Sequence, residues 1–288
     1  MMVADSRARW RDLAPRVASA LVMAPLGLAS IWAGGLVWQI VLTALSMVAM
    51  LEWASLCGAR PMTRLAQAAA AALAVGFLCH AILASCPTSL FPQEISPHLA
   101  ATASAFTVVA LAAFWILPSS RMVSLGMAYV GFGWASLLVL RDGAGGFGQI
   151  LFIMVVVWAN DIGAYLAGRL IGGPRLAPTV SPGKTWAGAA GGFATAVAAG
   201  LAVVSVLHAP HPGLVDAAWQ AAILAIVAQA GDLLESAMKR HYGKKDSGSL
   251  IPGHGGLLDR VDGLLGAATA AMLLRLVSIV FLGVDAWS

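Results

Sequence analysis

Nine apolar runs, each about as long as a helix needs to cross a bilayer, dominate this chain and leave room for little besides a helical membrane bundle. A hydrocarbon core about 30 Å thick takes roughly 20 residues at a helical rise of 1.5 Å. The runs extend from Val17 to Ala33, Leu36 to Leu56, Leu65 to Ser85, Leu99 to Leu117, Met122 to Leu140, Phe147 to Gly168, Trp186 to Leu207, Ala217 to Met238 and Leu264 to Gly283. The expected fold is all-α and polytopic. Residues 1–16 form a basic N-terminus, 17–140 hold helices one to five, and 141–288 hold helices six to nine. The first run resembles a secretory signal, but eight further spans argue that it is retained.

Composition agrees. Of the 288 residues 60% are hydrophobic and 10% charged, where a soluble domain carries roughly a quarter charged. The net charge of +4 is a small excess over few ionisable groups, so the basic balance does not point to nucleic acid. Three cysteines, Cys57, Cys79 and Cys86, include no C-x-x-C pair, which removes zinc and iron–sulfur readings.

Basic residues gather on the cytoplasmic side of short membrane loops. Here the N-terminus carries Arg7, Arg9, Arg11 and Arg16. Alternate connections carry Arg60 and Arg64, then Arg121, then Arg169, Arg175 and Lys184, then Lys239, Arg240, Lys244, Lys245 and Arg260. The opposite loops hold only Arg141, and Arg275 lies within the last span. The expected topology has a cytoplasmic N-terminus and an external C-terminus at Ser288.

Ionisable groups inside a membrane are costly unless paired or hydrated, so intramembrane acids are functional candidates. They are Glu52, Asp161, Asp232 and Glu235. The topology puts the last three within about two turns of the cytoplasmic surface, where Asp259 and Asp262 also lie. Asp232 and Glu235 are spaced i and i+3, as are Asp259 and Asp262, so each pair shares a face if its segment is helical. Carboxylates so gathered would repel one another, whereas a hard divalent cation would hold them ionised, and Mg2+ is the natural guess. Spacing alone leaves an alternative in which Glu235 pairs with Lys239 at i+4 and Asp259 with a nearby arginine. Arg275 is a candidate partner for Glu52 or for phosphate, but the two differ by roughly 10 Å in expected depth, which argues against their pairing.

Beside these acids lie Lys239-Arg240-His241-Tyr242-Gly243-Lys244-Lys245-Asp246 and Pro252-Gly253-His254-Gly255-Gly256. Bases next to a glycine-rich turn can present cations and backbone N–H groups to phosphate. A basic loop taken alone is equally an ordinary positive-inside connection. Ser181-Pro182-Gly183-Lys184-Thr185 imitates a P-loop, but Pro178 stands where that motif needs glycine and no strand is expected before it. Ser181, Lys184 and Thr185 remain candidate phosphate ligands. Asp161 and Tyr165 are i and i+4, with Gly168 on nearly the same stripe, an arrangement that allows close helix packing beside a polar group.

The stretch Ser236 to Asp262, SAMKRHYGKKDSGSLIPGHGGLLDRVD, resembles the signature of the CDP-diacylglycerol synthase family, the phosphatidate cytidylyltransferases. Asp161-x-x-Ala164-Tyr165-x-x-Gly168-Arg169 and Ser181-Pro182-x-Lys184-Thr185-Trp186 are similar to a second block of that family. The chain departs from it at Gly183 and Ala187, where the family commonly has lysine and glutamate. The resemblance implies conversion of CTP and phosphatidate to CDP-diacylglycerol and pyrophosphate at the inner face of the cell membrane. It further implies a metal centre of Mg2+, with room for a monovalent ion such as K+, on Asp232 and Asp259 with support from Glu235, Asp246 and Asp262. Lys184, Lys239, Arg240, Lys245 and Arg260 become candidate contacts to triphosphate or phosphatidate, with Asp232, Asp259, Lys239 and Arg240 as the catalytic set. Asp161, Ser181, Thr185 and His254 complete the substrate contacts, His254 as a loop hydrogen-bond donor or as a structural residue. A homodimer is compatible with this reading. Two rivals remain: a CTP-dependent polyprenol kinase, and an ion-coupled transporter that would use the acids but leave the basic loop idle.

Overall fold

The computed structural model describes residues 25–58, 121–142, 145–207, 213–250 and 255–278, with 281. Six long helices occupy them. We label these α1 (Gly35–Leu56), α2 (Arg121–Asp142), α3 (Gly146–Leu170), α4 (Trp186–Leu207), α5 (Leu214–His241) and α6 (Leu258–Val277). A shorter helical segment at 25–33 precedes α1. The runs expected at 65–85 and 99–117, the start of the first run, and His254 lie outside the described residues.

Helices α1, α3, α4 and α5 are long and apolar enough to cross a membrane. Large apolar side chains face outward from them, among them Leu36, Ile162, Trp186 and Trp219, as lipid contact requires. Helix α6 begins earlier than expected. Its first two turns include Asp259, Arg260 and Asp262, so a boundary drawn from apolarity at Leu264 cuts off a helical start that is polar because it lines a cavity.

The connection between α3 and α4, expected from the sequence to be a loop with no strand, is instead an antiparallel hairpin of β1 (Arg175–Ala177) and β2 (Ser181–Thr185), with Arg175 opposite Thr185 and Ala177 opposite Ser181. A three-residue strand is too short to print an alternating pattern. The hairpin pairs with itself, and among the described residues no parallel strand adjoins it, so the rejection of a P-loop stands. Thr185 then starts α4 as an N-cap, its Oγ1 accepting from the Gly188 N–H at 3.0 Å.

Small residues let α3 and α4 approach closely. The Thr195 hydroxyl on α4 donates to the Ala159 carbonyl on α3 at 2.9 Å, and a Cβ built on Gly191 would sit 2.2 Å from the Ala167 Cβ. Without a hydrophobic force between helices in lipid, such contacts supply much of the association. Gly191→Ala should therefore destabilise the protein by about 1–3 kcal/mol, as overpacking does. Gly148→Ala, where a Cβ meets nothing within 4 Å, should not. Thermal unfolding in detergent measures both, and equal melting temperatures would count against the close packing. Helices α5 and α6 meet closely at glycines of α6: a Cβ on Gly263 would sit 3.6 Å from the Ala228 Cβ, and one on Gly266 would sit 3.3 Å from the Val227 carbonyl oxygen. The wall opposite the α3–α4 pair thereby brings Asp232 and Glu235 toward the start of α6.

Candidate functional site

The ends of α3, β2, α5 and α6 enclose a cavity of about 760 Å3. Asp161, Tyr165 and Arg169 of α3 line one side, Lys184 and Thr185 close another, and Asp232, Glu235 and Lys239 of α5 face Asp259, Arg260 and Asp262 of α6. Asp246, from the turn after α5, completes the wall.

Three carboxylates come together tightly: ligand oxygens of Asp232, Glu235 and Asp262 lie within 4.8 Å of one another. Glu235 follows Asp232 by three residues on α5, and Asp262 is delivered by α6. Glu235 is 1% exposed, and among the described residues its Oε1 has no hydrogen-bond partner. An ionised oxygen buried without a donor is costly, so it calls for a cation. The Asp262 Oδ1 accepts from the Gly263 N–H at 2.8 Å. Tyr129 of α2 donates its hydroxyl to the Asp262 carbonyl, which pins the first turns of α6 to a neighbouring helix.

Lysines balance this charge. Lys184 Nζ lies 2.5 Å from the Asp232 Oδ2. Lys239 Nζ lies 2.7 Å from both the Glu235 Oε2 and the Asp259 Oδ1. The i,i+4 pairing of Glu235 with Lys239 is thus present, while the cation found beside Asp259 is Lys239, where that alternative has an arginine. Asp259 is largely occupied: its carboxylate also accepts from the Ser247 N–H at 3.0 Å and the Gly256 N–H at 2.9 Å. Asp232 and Asp259 line one cavity, but the compact trio is Asp232, Glu235 and Asp262.

The remaining candidates divide. Asp161 is reached by the Asn160 side-chain amide at 3.4 Å, and the Asn160 Oδ1 in turn accepts from the Gln229 Nε2 at 2.7 Å. This polar chain links α3 to α5. The Thr185 hydroxyl serves the helix cap as well as the wall. Arg240 turns away from the cavity to the hairpin, its Nε donating to the Val180 carbonyl at 3.3 Å and its Nη1 to the Lys244 carbonyl at 3.2 Å. Ser181 and Lys245 are not among the lining residues, and Lys245 is exposed.

Several groups escape the sequence reading. Gln229 precedes Asp232 by three residues on one face of α5, a spacing that could have marked it. Tyr129, a hydroxyl within an apolar run, carried a weaker signal. Arg169 donates to the Tyr165 hydroxyl at 2.7 Å, and its guanidinium lies 6.0 Å from that ring's centre; their i,i+4 spacing on α3 was readable. Glu52, an intramembrane acid whose sequence neighbours give it no partner, meets the start of α6. Its oxygens accept from the Leu257 and Leu258 N–H groups at the start of α6. Arg275 lies 17 residues beyond Leu258, about 25 Å along the helix, so Glu52 and Arg275 do not pair.

The profile of the cytidylyltransferase family matches residues 14–278. A protein of Brucella suis biovar 1 (strain 1330) named phosphatidate cytidylyltransferase is 39% identical over 278 residues, covering 91% of this chain and 93% of that protein. One of the same name from Pseudomonas aeruginosa is 35% identical over 259 residues, 88% and 94% of the two chains. A third, from Staphylococcus saprophyticus, is 41% identical over 145 residues, 49% and 53% of the two.

Proposed function

The chain belongs to the cytidylyltransferase family, and from that premise we propose that the carboxylate-lined cavity is where it joins CTP to phosphatidate. It is a multi-pass membrane protein that acts as a CTP:phosphatidate cytidylyltransferase, forming CDP-diacylglycerol and releasing pyrophosphate. The observation that carries the assignment to this cavity is the trio Asp232, Glu235 and Asp262, its oxygens within 4.8 Å, set beside Lys184 and Lys239.

Asp232, Glu235 and Asp262 would hold Mg2+. Three carboxylate oxygens, one of them buried without a donor, suit a hard cation that keeps part of its shell for water and phosphate. When bound, the ion supplies charge neutralisation for a triphosphate. Asp246, beside Asp259 at the rim, is a further oxygen donor for a second ion such as K+.

The phosphatidate head is a phosphate monoester of charge about −1.5 to −2 near pH 7, so its attacking oxygen is already deprotonated. No strong general base is needed, and none of the residues described has to remove a proton. The obstacle is repulsion between two anions, which the cations of the wall reduce. Lys184, 27% exposed toward the cavity, is free to lean from Asp232 to a phosphate oxygen. Arg260 and Arg169 offer guanidinium groups suited to phosphate. Lys239, held between Glu235 and Asp259, keeps its charge fixed close to the trio. Alignment of the attacking oxygen with the α phosphorus and the departing pyrophosphate is then a matter of positioning and charge.

The cavity opens at the end of the bundle where α3 finishes, α5 finishes and α6 begins. The basic connections after α3 and after α5 belong to the same end, which supports a cytoplasmic site with the N-terminus on that side. There a nucleotide from water meets a lipid head that keeps its chains in the bilayer. One chain supplies every group named, so a homodimer would act on stability or lipid access.

Purified protein given phosphatidate, Mg2+ and CTP labelled at the α phosphorus should move label into lipid, and CTP labelled at the γ phosphorus should release it as pyrophosphate. Label from the γ phosphorus in lipid would instead mark a kinase. No labelled lipid in either case, together with ion-driven solute movement, would favour a transporter.

A further inference from the structure

Glu52 lies far in sequence from every residue of the cavity wall and touches none of the groups that line it, yet its surroundings are specific. It sits one turn before the end of α1 and is 8% exposed. Its Oε1 accepts from the Leu257 N–H at 3.0 Å, and its Oε2 from the Leu258 N–H at 2.8 Å and the Ser247 hydroxyl at 3.3 Å. The first backbone N–H groups of a helix have no partner within it and carry its positive end. Leu257, the residue just before α6, provides no side-chain cap. Glu52 supplies that cap from another helix.

The contact also closes a loop. Ser247 is gripped twice, through its hydroxyl by Glu52 and through its N–H by Asp259. Gly256 gives its N–H to Asp259 as well. The backbone runs flush against the Glu52 carboxylate: a Cβ on Gly248 would come within 2.7 Å of Oε1, and one on Gly256 within 2.6 Å of Oε2. Lys244, at the near end of the same loop, donates to the Ser55 carbonyl of α1 at 2.7 Å. The last turns of α1 therefore bind both ends of the segment that delivers Asp259 and Asp262.

We propose that Glu52 is a positioning residue for cytidylyl transfer, an acceptor-only anchor that fixes the start of α6 and through it the orientation of Asp259 and Asp262. This rests on the reading that the cavity is the transfer site. The chemistry demands a carboxylate. Three donors converge on two oxygens, and an amide would turn one N–H2 toward another donor.

Glu52→Gln should therefore lower kcat by about 10- to 100-fold, the scale of a misplaced reacting group. It should weaken Mn2+ binding, followed by electron paramagnetic resonance without substrate, and lower the melting temperature in detergent by only a few degrees, the cost of one mismatched buried donor. A purely structural residue would behave differently: the melting temperature would fall while kcat per folded molecule and Mn2+ affinity stayed at wild-type values, and that result overturns the proposal. Should Glu52→Gln fail to fold, Ser247→Ala removes one of the three contacts and decides the matter. Reduced kcat with weaker Mn2+ binding supports the anchor, and wild-type values of both overturn it. A wild-type protein that transfers no cytidylyl group refutes the functional reading instead, while the Mn2+ titration still tests the anchor.

Discussion

Asp232→Asn should reduce turnover by about a thousandfold or more, on the scale of removing a preorganised electrostatic group, while leaving insertion and folding nearly intact. The side chain explains the contrast. It is 39% exposed and contacts Lys184 at 2.5 Å and the Ser236 hydroxyl at 3.4 Å, so an isosteric neutral amide disturbs little packing. What it removes is one of the three carboxylates whose oxygens lie within 4.8 Å. Mn2+ titration should show weakened binding in step with the lost turnover, and raising Mg2+ should recover part of the rate. Near-normal turnover at limiting Mg2+ would refute a ligand role for Asp232, and a large fall in melting temperature would mean that the residue holds the fold.

Why the sequence reaches some of this and not the rest follows from what each residue interacts with. Helices α3, α4 and α5 were readable to within about three residues because lipid requires apolar length and their few polar residues do not break the runs. The start of α6 was not, since charges that line a cavity look like charges in a loop when only hydropathy is weighed. The hairpin of β1 and β2 has too few residues to carry a period. Within the site, Asp232, Glu235, Lys239, Asp259 and Asp262 were recognisable because charge is rare in such a chain. The division of labour among them was hidden. Asp259 is occupied by N–H groups of Ser247 and Gly256 that depend on how a glycine-rich loop closes, and backbone donors leave no mark in a sequence. The same holds for Glu52, whose partners are about 200 residues away and mostly main chain. Arg240 and Lys245 show the opposite error: a basic residue in a signature draws attention, but charge does not tell in which direction the side chain leaves its helix.

Lys239→Met should cost both stability and activity, which sets it apart from Asp232→Asn. The ammonium is the cation between Glu235 and Asp259, whose side chains are 1% and 7% exposed. Methionine keeps the apolar stem and removes the charge, leaving two buried carboxylates to face each other. Deleting one partner of a buried pair typically destabilises by about 3–5 kcal/mol, because the other charge stays buried and unmatched. The melting temperature in metal-free detergent should fall by several degrees and turnover should be nearly lost. A divalent ion on the trio would neutralise the excess negative charge, so added Mg2+ should raise the melting temperature of Lys239→Met more than that of the wild type. Lys239→Arg should retain the stability and lose much of the activity, since a planar guanidinium cannot occupy the position of a compact ammonium 2.7 Å from both oxygens. A Lys239→Met protein that melts like the wild type and ignores Mg2+ would show that the two carboxylates do not depend on this lysine, and the account of charge balance in the cavity would fall with it.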